Sequence, residues 1–115
     1  MNILIIDDNV NITKLFKQYL ELKNHKCHIE NNGKNVLSLL NKHSFDKIIL
    51  DLAMPDFSGI DVLDNIKSKN LLEKIIVITA SNITLKDEGN LLDRGIHSIL
   101  RKPVSIEVIH QNLVD

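Results

Sequence analysis

Three short aliphatic runs constrain this chain most: Ile3 to Ile6, Ile48 to Leu50 and Ile75 to Ile78, each continuous rather than alternating. A strand with one face in water alternates apolar and polar residues, so continuous runs predict strands covered on both faces, as in a parallel sheet. Parallel strands need long crossover connections, usually helical. Apolar residues at helical spacing lie where those crossovers belong: Ile12, Phe16, Tyr19 and Leu20, then Val36, Leu37 and Leu40, then Ile60, Leu63 and Ile66.

Two weaker strands complete the pattern. Lys26 to Glu30 alternates, with Cys27 and Ile29 on one face, and Ser98 to Arg101 is short, so both suit sheet edges. Leu85, Leu91 and Leu92 mark a fourth helix interrupted by Gly89, and Ile106, Ile109 and Leu113 mark a fifth. The expected fold class is α/β: a (βα)5 doubly wound, five-stranded parallel sheet of flavodoxin-like order 2-1-3-4-5. At 115 residues, without repeat, linker or low-complexity segment, residues 1–115 read as one domain.

In such a sheet ligands bind outside the carboxyl ends of the strands where strand order reverses, here the first and third strands. Asp7 and Asp8 end the first and Asp51 ends the third. Three neighbouring carboxylates repel one another unless protonated or bridged by a hard cation, and Mg²⁺, which takes few protein ligands and keeps waters, fits best. Lys102 follows the fifth strand as a point charge suited to a phosphoryl oxygen, and Thr79 ends the fourth with a hydroxyl. Together these residues offer a nucleophile, metal ligands and donors for phosphoryl transfer to a carboxylate. Taken singly each has a plainer reading: an acidic pair caps a helix, a threonine ends a strand, a lysine is solvated.

In combination they resemble the signature of response-regulator receiver domains over essentially the whole chain. The acidic pair matches Asp7 and Asp8, the phosphorylated aspartate Asp51 in Asp51-Leu52-Ala53-Met54-Pro55, the switch hydroxyl Thr79 in Thr79-Ala80, and the lysine Lys102 in Lys102-Pro103. Gly59 and Gly95 match as well. The resemblance implies a phosphoacceptor with self-catalysed phosphorylation rather than a turnover enzyme. Its donor would be the phosphohistidine of a histidine kinase or phosphotransfer protein, or a small phosphodonor such as acetyl phosphate. It implies Mg²⁺ held by Asp8, Asp51 and the backbone carbonyl of Ala53, with Asp7 acting mainly through a coordinated water. Lys102 would contact the phosphoryl group, Thr79 would move to it as the switch, and the Lys102-Pro103 bond would be cis.

Three positions depart from the family pattern or tune it. Ile99 stands where receivers commonly carry Tyr or Phe, so no ring is available to swing with the Thr79 hydroxyl. Ala53 and Ser81 occupy sites where amide or acidic side chains orient an attacking water in fast-decaying members, and the expectation here is a long-lived acyl phosphate. Met54-Pro55 reads as turn chemistry.

Composition narrows the partners. A formal net charge of -1 gives no basic face for direct nucleic acid binding and no membrane tail, leaving an unidentified downstream effector recognised through a local surface. A monomer or weak dimer in the cytoplasm is expected, since no apolar run reaches a membrane span and Met1 stands almost against the first strand, leaving no leader. No output domain is expected within the few residues that follow Pro103, which suits either a stand-alone or an excised receiver. Cys27, the single cysteine, reads as a small buried apolar group. The histidines at 25, 28, 43, 97 and 110 are scattered, with no third ligand beside His25 and His28, and are expected at the surface.

Three alternatives meet specific objections. A haloacid-dehalogenase-type phosphatase needs a second aspartate two residues after its nucleophile, where Ala53 or Asn9 stands. A flavodoxin-like cofactor carrier would have its phosphate repelled by Asp7-Asp8-Asn9. A never-phosphorylated structural receiver would not need every reactive position filled.

Overall fold

A computed structural model describes residues 1–54, 57–66, 69–80 and 85–114. Strand β1 (Asn2–Ile6) leads into α1 (Val10–Leu22), followed by β2 (Lys26–Glu30), α2 (Val36–Lys42) and β3 (Lys47–Asp51). A two-residue antiparallel ladder, β4 (Ala53–Met54) with β5 (Phe57–Ser58), precedes α3 (Gly59–Asn65). Then come α4 (Lys69–Leu72), β6 (Ile75–Thr79), α5 (Leu85–Asp93), β7 (Ser98–Arg101) and α6 (Ile106–Val114). The expected turn at Met54-Pro55 lies partly, and Ser81 wholly, outside the described residues.

The main sheet has five strands in the order β2-β1-β3-β6-β7, every neighbour parallel. Counting only its own strands, this is the expected 2-1-3-4-5. Side-chain alternation then divides the interior into two cores. Leu4, Ile6, Ile48, Leu50, Ile75 and Val77 face α2, α3 and α5 through Val36, Leu63 and Leu91. Ile3, Ile5, Ile49, Ile76 and Ile78 face α1 and α6 through Phe16, Leu20, Ile109 and Leu113. Residues on both faces are withdrawn from water, which is why these strands read as unbroken aliphatic runs. Truncating any of them, Leu50→Ala for example, costs about 2–5 kcal/mol.

Edge strand β2 is half wet, with Cys27 and Ile29 partly buried and His28 exposed between them. Helix α1 starts at Asn9, whose side chain accepts from the Ile12 N–H at 3.1 Å, and its exit turns on Asn24 at φ 68°, a left-handed position asparagine tolerates. Gly95, at φ 105°, makes the bend into β7 where a side chain would be strained. Gly89 does not end α5. The Lys102-Pro103 peptide is cis, as the resemblance implies.

Candidate functional site

Parallel pairing brings the carboxyl ends of four strands to one rim. Asp7 directly follows β1, Asp51 ends β3, Thr79 ends β6 and Lys102 directly follows β7. Ladder register sets Asp51 opposite Ile78 and Thr79 opposite Arg101, and the Lys102 N–H donates to the Thr79 carbonyl at 2.9 Å, carrying the ladder one residue further. Asp7 and Asp51 are each 3% exposed and Thr79 is fully buried, whereas Asp8 is open to solvent.

Carboxylate oxygens of Asp7, Asp8 and Asp51 lie within 4.8 Å of one another. The Lys102 ammonium donates to Asp7 Oδ2 at 2.9 Å and to Asp51 Oδ2 at 3.3 Å. Burial alone would lower the Lys102 pKa, but the hydrogen bond and charge of Asp7, then those of Asp51, outweigh it and hold the ammonium above the ordinary lysine value. One ammonium does not neutralise three ionised carboxylates. Oxygen-only donors, two of them buried and one reachable from solvent, are the donor set a hard divalent cation such as Mg²⁺ selects. Ala53 begins β4, two residues past Asp51.

Every site residue expected from the sequence among Asp7, Asp8, Asp51, Thr79 and Lys102 therefore stands at this rim. A supporting layer was not read from the sequence. The Asp7 Oδ1 accepts from the Asn9 N–H at 3.0 Å, and the Asp7 carbonyl accepts from the Asn31 amide at 2.8 Å. The same amide donates to Thr13 Oγ1 at 3.1 Å, whose hydroxyl donates to the Val10 carbonyl at 3.0 Å. Asn31 thus ties the β2 exit to the β1-α1 turn and fixes the backbone that aims Asp7. It sits one residue beyond a strand's carboxyl end, so the positional rule that singles out Asp7 and Asp51 applies to it too; attention to charged groups alone passes over it.

His28 and His43 are exposed as expected, whereas His25, His97 and His110 are half-buried, and His25 meets His110 across the α1-β2 turn and α6. Ile99 is half-buried against the core shared with α2, α3 and α5. Among the described residues, no helix is long and apolar enough to cross a membrane.

Comparisons with known proteins agree with this geometry. The family model described as the response regulator receiver domain matches residues 3–114. The chain is 31% identical over 113 residues to the sensor histidine kinase RcsC of Escherichia coli (strain K12), covering 98% of this chain but 12% of that protein. It is 29% identical over 106 residues to the polar-differentiation response regulator DivK of Brucella anthropi, covering 91% of this chain and 86% of that one. Among solved structures, the Francisella response regulator 1452 receiver domain superposes with a TM-score of 0.84 at 27% identity, covering 98% of this chain and 93% of that one. A signal receiver domain from Vibrio parahaemolyticus gives 0.87 at 26% identity, covering 98% and 86%. Receiver domains are the phosphoacceptor modules of two-component signalling and generally bind Mg²⁺. With its sheet order, its rim of acids and a family match over nearly its whole length, the chain belongs to the response-regulator receiver domains.

Proposed function

We propose that residues 1–115 act as one receiver unit that accepts a phosphoryl group on Asp51 in a Mg²⁺-dependent reaction and thereby switches contact with a downstream partner. The observation that carries the reading is the Lys102 ammonium, 2.9 Å from Asp7 and 3.3 Å from Asp51 within a knot of three carboxylates. The donor is the phosphohistidine of a histidine kinase or phosphotransfer protein, or acetyl phosphate. An Asp51 carboxylate oxygen attacks phosphorus while the bond from phosphorus to the donor's imidazole nitrogen breaks. That nitrogen keeps the bonding pair and takes up a proton.

Asp8, Asp51 and the Ala53 carbonyl would hold Mg²⁺, with Asp7 acting through water, and the bound ion would offset charge on the phosphoryl oxygens. Lys102 turns its ammonium to a phosphoryl oxygen and stabilises the charge that develops there. Thr79 shifts its hydroxyl to a second oxygen, and that displacement is the switch. Ala53 offers no group to orient a hydrolytic water, so the acyl phosphate is long-lived. Incubation with acetyl phosphate and Mg²⁺, followed by intact mass measurement, should give a single phosphoryl adduct in the native chain and none in Asp51→Asn or without metal. An adduct that persists in Asp51→Asn defeats the assignment.

A further inference from the structure

His25 and His110 are separated by most of the chain, yet their Nε2 atoms lie 3.2 Å apart. Neither ring hangs on a loose tether. His25 closes the exit of α1, its N–H donating to the Leu20 carbonyl at 3.1 Å, and Asn24 before it sets the turn. His110 follows Ile109, whose complete burial fixes the rotation of α6, and the Tyr19 and His110 rings meet in a T-shaped contact with centroids 6.0 Å apart. The two imidazoles are inclined at 51° with centroids 5.3 Å apart, so they converge through nitrogen rather than stack.

Two imidazole nitrogens bound to one Zn²⁺ at ~2.0–2.1 Å, with a tetrahedral angle between them, stand about 3.3 Å apart. The observed separation is within a small ring movement of that bite. We propose that His25 and His110 form a two-nitrogen chelating site for a borderline divalent transition-metal cation, tested with Zn²⁺, that bridges α6 to the α1-β2 turn, its remaining positions filled by water.

Ligand chemistry keeps this site distinct from the acidic rim. Imidazole nitrogen suits Zn²⁺, Ni²⁺ or Cu²⁺, while Mg²⁺ prefers carboxylate and water oxygens. Zn²⁺ on Nε2 places the ring proton on Nδ1, which now lies 3.2 Å from the Met1 amine; Met1 is exposed, so that amine can give way.

A Zn²⁺ titration of the full chain in saturating Mg²⁺, followed by calorimetry and by NMR of the imidazole carbons, tests the site. One-to-one binding is expected, with the His25 and His110 ring signals moving together and affinity falling about tenfold or more in His25→Gln and in His110→Gln. The metal-free spectrum of each variant serves as its folding control. Binding that survives both substitutions, shifts confined to His28 and its neighbour Glu30, or no saturable binding would show the pair to be a plain imidazole-imidazole hydrogen bond and overturn the proposal.

Discussion

Lys102 lies nearer to Asp7 than to Asp51, 2.9 Å against 3.3 Å, so the ammonium leans more on the acid that follows β1 than on the acid that ends β3. Removing it leaves two nearly buried carboxylates facing each other across the β1-β3 rim. Lys102→Met should therefore destabilise the metal-free fold by about 1–3 kcal/mol at neutral pH. Saturating Mg²⁺ should recover part of that loss, because bound cation stabilises the folded state by mass action. Urea melts with and without Mg²⁺ measure both quantities, and an unchanged midpoint without metal would show the contact to be energetically idle.

The same contact carries a pH signature. Since the folded Lys102 pKa lies above its ordinary 10.5, the folded chain binds the proton more tightly than the unfolded one. The stabilisation is whole below that ordinary value and is lost as pH rises through the higher folded value. The gap between native chain and Lys102→Met should accordingly stay level from neutrality to about pH 10 and close only above it. A gap that narrows already between neutrality and pH 9 would contradict the assignment.

Asn31 holds the Asp7 carbonyl and Thr13 with one amide. Asn31→Ala deletes both bonds, and a cost of about 1–2 kcal/mol follows from leaving the buried Thr13 and the Asp7 backbone short of a donor. Because Asp7 is aimed by that backbone, Mg²⁺ affinity should weaken too, although Asn31 is not proposed to touch the ion. Fluorescence or calorimetric Mg²⁺ titration of the variant checks this; stability loss with unchanged affinity would confine Asn31 to the fold.

Burial pushes the Cys27 thiol up to about 11. At pH 8 the thiolate is then about a hundredfold scarcer than in a freely exposed cysteine, so native Cys27 should react with iodoacetamide far more slowly than the urea-unfolded chain, by roughly that factor. Equal rates would mean that the thiol is open to solvent.

Gly89 occupies the middle of α5, and a methyl group added there meets nothing within 4 Å. Gly89→Ala should stabilise the chain by about 0.5–1 kcal/mol through helix propensity and a less mobile unfolded state. A thermal melt decides it, and destabilisation would mean that the position meets more than its empty surroundings indicate.

Ile99 offers no ring to couple to Thr79 and is packed against the core. On phosphorylation the α5-β7-α6 face should consequently show small shift changes at Ile99 and Leu100; large ones, read by NMR, would mean an aliphatic residue can transmit the switch.

The central strands were legible because burial on both faces leaves no polar residue to interrupt Ile3 to Ile6 or Ile75 to Ile78. Their order followed from the weaker edges, and the rim followed from parallel pairing, which places every strand's last residue at one end. Asp7, Asp51, Thr79 and Lys102 could be gathered by that rule alone. It could not supply side-chain direction: nothing in the order of residues says that Lys102 reaches Asp7 first, or that Asn31 bonds backward to the β1 exit. The meeting of His25 with His110 was illegible for a different reason. It depends on the rotation of α6 about its axis, which packing of Ile109 and Leu113 decides only once the sheet exists.

The hydrogen bond from the Lys102 N–H to the Thr79 carbonyl locks the main chain of the lysine to the strand that bears the hydroxyl. Any travel of the positive charge between Asp7, Asp51 and an arriving anion must accordingly come from rotation along the lysine's own methylene stem. The strand end is a fixed mast, and the side chain is the boom that swings from it.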